Sequence, residues 1–169
     1  SNSDSLMPTG RYTEPAVLVA GPQVTDIKTR SARIFWGTDR VSDTKVAYGT
    51  SSGNYFPAEA YQSAQVTSHS IELSSLSPGT TYYYKAKWSD DDGNTGQTPE
   101  LQFTTAPAPV VSDVGVSSIN LDRANIRFTT QGAARVKVYY GTSTAFGAVT
   151  TVNSSADPSN YSTELANLN

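Results

Sequence analysis

The chain has 169 residues, of which 16% are charged, with a formal net charge of −3, one histidine and no cysteine. So small a charge provides no basic field to hold a phosphate backbone or an anionic lipid surface, which argues against nucleic acid as a partner. Without cysteine there is neither a disulfide framework nor a thiolate metal site, and one histidine excludes multi-histidine zinc sites. No apolar run approaches the roughly 18 residues of a membrane span. No charged-then-apolar leader opens the sequence, so a soluble chain is expected, any export signal having been removed.

Residues 1–14, SNSDSLMPTGRYTE, show no periodicity and are expected to form a flexible leader, in part an expression scar. Beyond them the period is two. Ala32, Ile34 and Trp36 share one face, with Arg33 and Phe35 on the other, and Val46 and Tyr48 oppose Lys45 and Ala47. Ile71 and Leu73 point inward, with Ser70 and Glu72 outward. Tyr82, Tyr84, Ala86 and Trp88 then oppose Tyr83, Lys85 and Lys87, and Leu101 and Phe103 close the unit. Short alternating strands separated by turn clusters such as SDDDGNTG predict an antiparallel sandwich and no helix.

The sequence then repeats itself. YGTS at Tyr48–Ser51 recurs at Tyr140–Ser143, 92 positions on. At the same offset Ala32, Ile34 and Trp36 fall on Ala124, Ile126 and Phe128, and HSIELSSL from His69 falls on YSTELANL from Tyr161. One ungapped offset for separate blocks means two copies of one domain. They are expected at 15–105 and 110–169, joined by a linker at 106–109 whose alternating prolines block helix and sheet pairing.

Trp36 and the run LSPGTTY, with Leu76, Pro78, Gly79, Thr80 and Tyr82 in fixed spacing, resemble a fibronectin type III domain of the kind found in secreted bacterial proteins. The resemblance covers about 16–106 and, as an incomplete second copy, 110–169. It implies an all-β fold of tandem immunoglobulin-like sandwiches, the second lacking its last two strands. It makes Trp36, Leu76, Pro78, Gly79, Tyr82 and Tyr84 structural residues, with Tyr82 as the corner tyrosine whose hydroxyl ties a crossover to nearby backbone. A similar domain precedes the catalytic domain of purple acid phosphatases. Their Asp, His, Asn and Tyr metal ligands cannot be built around His69 alone, so neither a catalytic site nor a cofactor is expected here.

The remaining candidates are few. His69 lies between Ser68 and Ser70, but neighbours along a strand point to opposite faces, so it is expected to be a partly exposed strand residue and not a catalytic base. Asp90, Asp91 and Asp92 form a weak calcium candidate, lacking the spaced ligands of a calcium loop. Phe35, Tyr55, Phe56, Tyr83 and Trp88 are read as outward aromatics, able to stack on carbohydrate or anchor a protein. Asn153 and Asn160 sit in glycosylation sequons.

In the family's topology the missing sixth strand of the second copy would lie beside Val136, Val138 and Tyr140, so the resemblance implies an unpaired edge there and uncovered inward faces of Ile126, Phe128, Val138 and Leu165. A protein partner, a donated strand, or another copy of a truncated or exchanged chain is expected to cover this edge, and with it Asn169. The functional expectation is a non-catalytic spacer or protein-interaction module of a secreted or cell-surface protein. Accessory domains of a secreted hydrolase, phosphatase-like or carbohydrate-active, and a strand-accepting assembly subunit are the alternatives.

Overall fold

The computed structural model describes residues 11–55, 58–132, 135–152 and 160–168. Phe56, Asn153 and Asn169 lie outside the described residues. All regular elements among those described are β-strands. The chain divides into two compact units, Ser1–Pro107 and Ala108–Asn169.

The first unit contains β1 (Leu18–Thr25), β2 (Ala32–Gly49), β3 (Ala58–Leu73), β4 (Thr81–Ser89), β5 (Thr95–Gln97) and β6 (Leu101–Thr104). The alternating stretches around Ile34 and Val46, which read as separate strands, belong to one 18-residue strand, β2. It pairs along its length with β3, from Ala32 opposite Leu73 to Tyr48 opposite Ala58. The ladder is broken by register shifts between Gly37 and Thr44. There Ser42, Asp43 and Thr44 are buried in succession, which an extended strand with one inward face cannot do. Ile34 before the break and Val46 after it share one core cluster. The β2–β3 ribbon therefore doubles over and contributes to both layers of a sandwich. β1 pairs with the first half of β2, whereas β4 pairs with the second half and carries β5 and β6 on its other edge.

The core joins Ile34, Trp36, Val46, Ile71, Leu73, Leu76, Tyr82, Tyr84, Ala86, Trp88 and Phe103. Tyr82 and Tyr84 each pack on Phe103, at ring-centroid distances of 5.7 and 5.9 Å. Tyr82 also makes the corner: its hydroxyl accepts the Ser77 amide at 2.9 Å. Gly79 supplies the left-handed backbone of the preceding turn, φ +58°, and its N–H reaches the Ala106 carbonyl at 3.0 Å. Ala106, assigned from sequence to the linker, is thus held within the first unit.

Two expectations are corrected here. Trp88 is buried, not a surface aromatic: alternation along β4 turns it inward, and its indole N–H donates to the Ala16 carbonyl at 2.7 Å. Gly96 lies so close to that ring that an added Cβ would stand 2.4 Å from it. Residues 11–14, expected in a flexible leader, form a strap. Arg11 Nε and the Tyr12 amide both donate to the Asp92 carboxylate, at 3.0 and 2.7 Å, and the Arg40 guanidinium lies 3.9 Å over the Tyr12 ring.

The second unit contains β7 (Val110–Ser117), β8 (Arg123–Gln131), β9 (Val136–Tyr140), β10 (Ala148–Val152) and β11 (Asn160–Ala166). One sheet has the order β11-β8-β7, and β10 pairs with β9 in another. Among the described residues the second edge of β9 has no strand partner. Phe128 and Leu165, expected to be uncovered, are both buried; the Phe128 ring stacks on Tyr161 at 5.4 Å and packs with Val152. Ile126 and Val138 remain half-buried.

Candidate functional site

The outward side of the β3–β2–β4 sheet is a grid of long polar and aromatic side chains. Strand pairing places Tyr61, Lys45, Lys87 and Gln97 in one row across four strands. Glu59, Ala47 and Lys85 form the next row, and Gly49, Tyr83 and Gln102 the one after. Tyr83, read from sequence as a surface residue, does belong to this outer face and is half-buried there. Lys45 and Lys87 stand directly opposite each other, an arrangement that repels unless both charges are answered. Both are. Lys45 Nζ lies 2.8 Å from Asp43, and Lys87 Nζ lies 3.0 Å from Glu59.

These ion pairs hold the lysines upright around a groove of about 400 Å³ whose lining includes Lys45, Glu59, Lys87, Ser89 and Gln97. Tyr61, 55% exposed, flanks it with its ring 5.2 Å from Lys45 Nζ. At the other end of the face the Tyr55 ring lies 5.7 Å from Lys85 Nζ. Its hydroxyl donates to Glu100, which also accepts from Ser52 and the Gly53 amide. The Ser52 hydroxyl, then Tyr55, hold the Glu100 carboxyl below its usual range. The face thus offers ammonium donors beside the exposed Tyr61 ring, a surface that suits acceptor-rich or aromatic ligands.

The acidic run does not form a ligand cage. Asp90 accepts the Asn94 amide at 2.9 Å and the Asp92 amide at 3.1 Å, closing its own hairpin turn, and Asp92 holds the strap. Asp91 is exposed. Among the described residues no three His, Cys, Asp or Glu side chains converge as metal ligands.

His69 also departs from expectation, being wholly buried. It follows Ile71 and Leu73 in parity, the signal that was open to the sequence reading. Its ring stacks on Trp36 with centroids 4.8 Å apart and planes 10° apart. Thr38 and Thr44 hydroxyls meet its two nitrogens at 2.9 and 2.8 Å, and Ser42 Oγ lies 3.4 Å from Nε2. Neither Ser68 nor Ser70 takes part, and the ring is closed to solvent. Phe35 is outward as read, 37% exposed, and Asn160 is exposed at the start of β11.

In the second unit Val136, Val138 and Tyr140 are half-buried on β9. The two valines join Val111, Val114, Ile126 and Phe128 around an apolar cleft of about 210 Å³.

A doubled β2–β3 ribbon, a tyrosine corner and an all-strand core define the class: the fold is a fibronectin type III-like β-sandwich. Residues 22–105 match the family model described as Purple acid Phosphatase, N-terminal domain. The first unit is thus of fibronectin type III type, and the domain that the matching family model describes is itself non-catalytic. No curated protein matches the chain. Among solved structures, the third fibronectin III domain of the human KIAA0343 protein is 17% identical, with a TM-score of 0.42, over 64% of this chain and 95% of that one. The FN1-FN3 domains of chicken CNTN1 are 15% identical, with a TM-score of 0.36, over 92% of this chain and 55% of that one.

Proposed function

We propose that the chain is a non-catalytic interaction module and spacer of a secreted or cell-surface protein, and that the outer β3–β2–β4 face of the first unit is its contact surface. The observation that carries this reading is the grooved grid of Tyr61, Lys45, Lys87 and Glu59, where paired charges and an exposed ring stand on rigid strands. Sites on strands hold their geometry better than sites on loops. The partner is a protein or a carbohydrate surface rich in acceptors.

The test pairs two measurements on the 169-residue chain. Turnover of a chromogenic phosphomonoester is expected to be nil. Retention on immobilised glycans and candidate surface proteins is expected to fall tenfold or more in the Tyr61→Ala, Lys87→Glu variant, with an unchanged melting temperature. Turnover overturns the non-catalytic reading; retention untouched by the variant removes the contact surface from this face.

The family match favours a second reading, in which the units are accessory domains of a secreted hydrolase whose catalytic domain lies elsewhere. The edge of β9 that has no strand partner among the described residues, beside an apolar cleft, favours a third, in which a strand from a protein partner or another copy pairs there. Saturable binding of an extended peptide, lost on Val138→Pro, would support that edge as an acceptor. A binding isotherm unchanged by the proline would dismiss it.

A further inference from the structure

The second unit builds the place of His69 without a titratable imidazole. Tyr161 stands 92 positions after His69 and stacks on Phe128 as His69 stacks on Trp36. Thr130 and Val136 stand at the positions of Thr38 and Thr44. The sandwich can therefore close at this point on rings alone. An imidazole with two hydroxyl partners adds something other than packing.

What it adds is a fixed proton arrangement. The Thr38 hydroxyl donates to the Arg40 carbonyl at 2.7 Å, so toward the ring it presents a lone pair, which receives Nε2–H at 2.9 Å. Nδ1 is then unprotonated and accepts the Thr44 hydroxyl at 2.8 Å. Both nitrogens are satisfied in the neutral Nε2–H tautomer. A second proton would put a charge on a ring closed to water and oblige the Thr44 hydroxyl to turn from donor to acceptor. Burial accordingly lowers the His69 pKa from its ordinary value, opposed by Asp43.

Asp43 is the charged group whose field reaches the ring, and its own charge is already answered. Its carboxylate takes Lys45 Nζ at 2.8 Å and the Ser89 amide of β4 at 2.7 Å. Arg40, on the same connection, faces Asp90 at 3.8 Å. Thr38, Ser42 and Thr44 flank the register shifts at which the β2–β3 ribbon changes layer.

We propose that the cluster of His69, Thr38 and Thr44 is a proton-operated joint, fastening the fold-over of β2 and β3 while the imidazole is neutral and loosening it in mildly acidic surroundings. The proposal goes beyond the contact surface and stands whether or not that face binds a partner. The joint lies directly before Lys45, so its loosening is felt where β2 enters the outer grid.

A single histidine makes the test unambiguous. The full chain, labelled at histidine, is followed by NMR from pH 8 to pH 4.5 alongside thermal unfolding. The expected results are the Nε2–H tautomer at neutral pH and no titration of the ring near 6.5 while the first unit stays folded. The melting midpoint of that unit is expected to fall by roughly 5 °C or more between about pH 7 and pH 5. His69→Gln keeps a donor and an acceptor but cannot take up a proton, so it should remove most of that fall. The opposite tautomer, free titration in the folded unit, or an undiminished acid response in folded His69→Gln overturns the proposal. If that variant does not fold, His69→Tyr with Thr44→Val copies the second unit and takes its place, with the same expected loss of acid response.

Discussion

The pair Trp36 and His69 and the pair Phe128 and Tyr161 are the same joint built twice. Each lies on directly opposed residues of neighbouring strands, and each stacks nearly flat, with interplanar angles of 10° and 9°. Around the first, every hydroxyl has a partner. Around the second, the Thr130 hydroxyl is buried with no hydrogen-bond partner among the described residues. The difference teaches that ring stacking is the common requirement, while the polar network is particular to the first unit and rises or falls with its histidine.

The largest expected effect removes the rings. Trp36→Ala should cost about 5 kcal/mol and unfold the first unit, whereas Phe128→Ala, in a core of fewer residues, should cost about 3 kcal/mol. Equal losses in chemical denaturation would show that the larger core around Trp36 adds nothing to its joint. Next come opposite responses at matched threonines. Thr38→Val leaves the His69 Nε2–H and the Arg40 carbonyl without their partner and should destabilise by about 1–3 kcal/mol, while Thr130→Val deletes an unpartnered hydroxyl and should be neutral or stabilising. Two losses of similar size would show that the hydroxyls play the same part in both units.

The pH dependence sharpens the comparison further. Because the folded pKa of His69 is lowered, its contribution is complete above its unfolded value of 6.5 and is lost as pH falls below that value toward the folded one. The second unit has no histidine, so calorimetry that resolves the two units should show this loss in the first alone. Smallest of all, Glu59→Gln exposes the Lys45 and Lys87 repulsion on the outer grid but should cost only about 0–1 kcal/mol, since the ion pair is solvated. Its effect should shrink further in high salt.

Much of this was legible in the sequence. Period-two alternation locates the inward residues of β2 and β4, the family resemblance carried by Leu76 to Tyr82 implies the corner, and the offset of 92 reveals the repeat. The same alternation, carried two residues back from Ile71, places His69 inward. Its serine neighbours, weighed in place of its parity, point to a partly exposed residue. Trp88 is likewise inward by alternation, which rules out the outward face it was expected to share with Tyr83. Other features depend on distance in space. Nothing local to Arg11 or Tyr12 announces Asp92, some 80 positions away. Nor does the pattern of β2 show that its halves join in one strand, since the bend is visible only as consecutive burial of Ser42, Asp43 and Thr44. The outer grid was hidden for a related reason: Lys45, Lys87 and Tyr61 look like ordinary solvated residues until cross-strand pairing aligns them.

The strap formed by Arg11 and Tyr12 has a mechanical consequence. A pull applied at residue 11 meets the Asp92 carboxylate before it reaches β1, so the load enters at the β4–β5 turn and not at the edge of the sheet. Two parallel contacts on one carboxylate, with the Arg40 guanidinium against the Tyr12 ring, are the first to take that load. The strap is a fuse. Behind it the Glu14 and Ala16 carbonyls, held by the Arg40 guanidinium and the Trp88 indole, still stand between the load and the β1–β2 ladder.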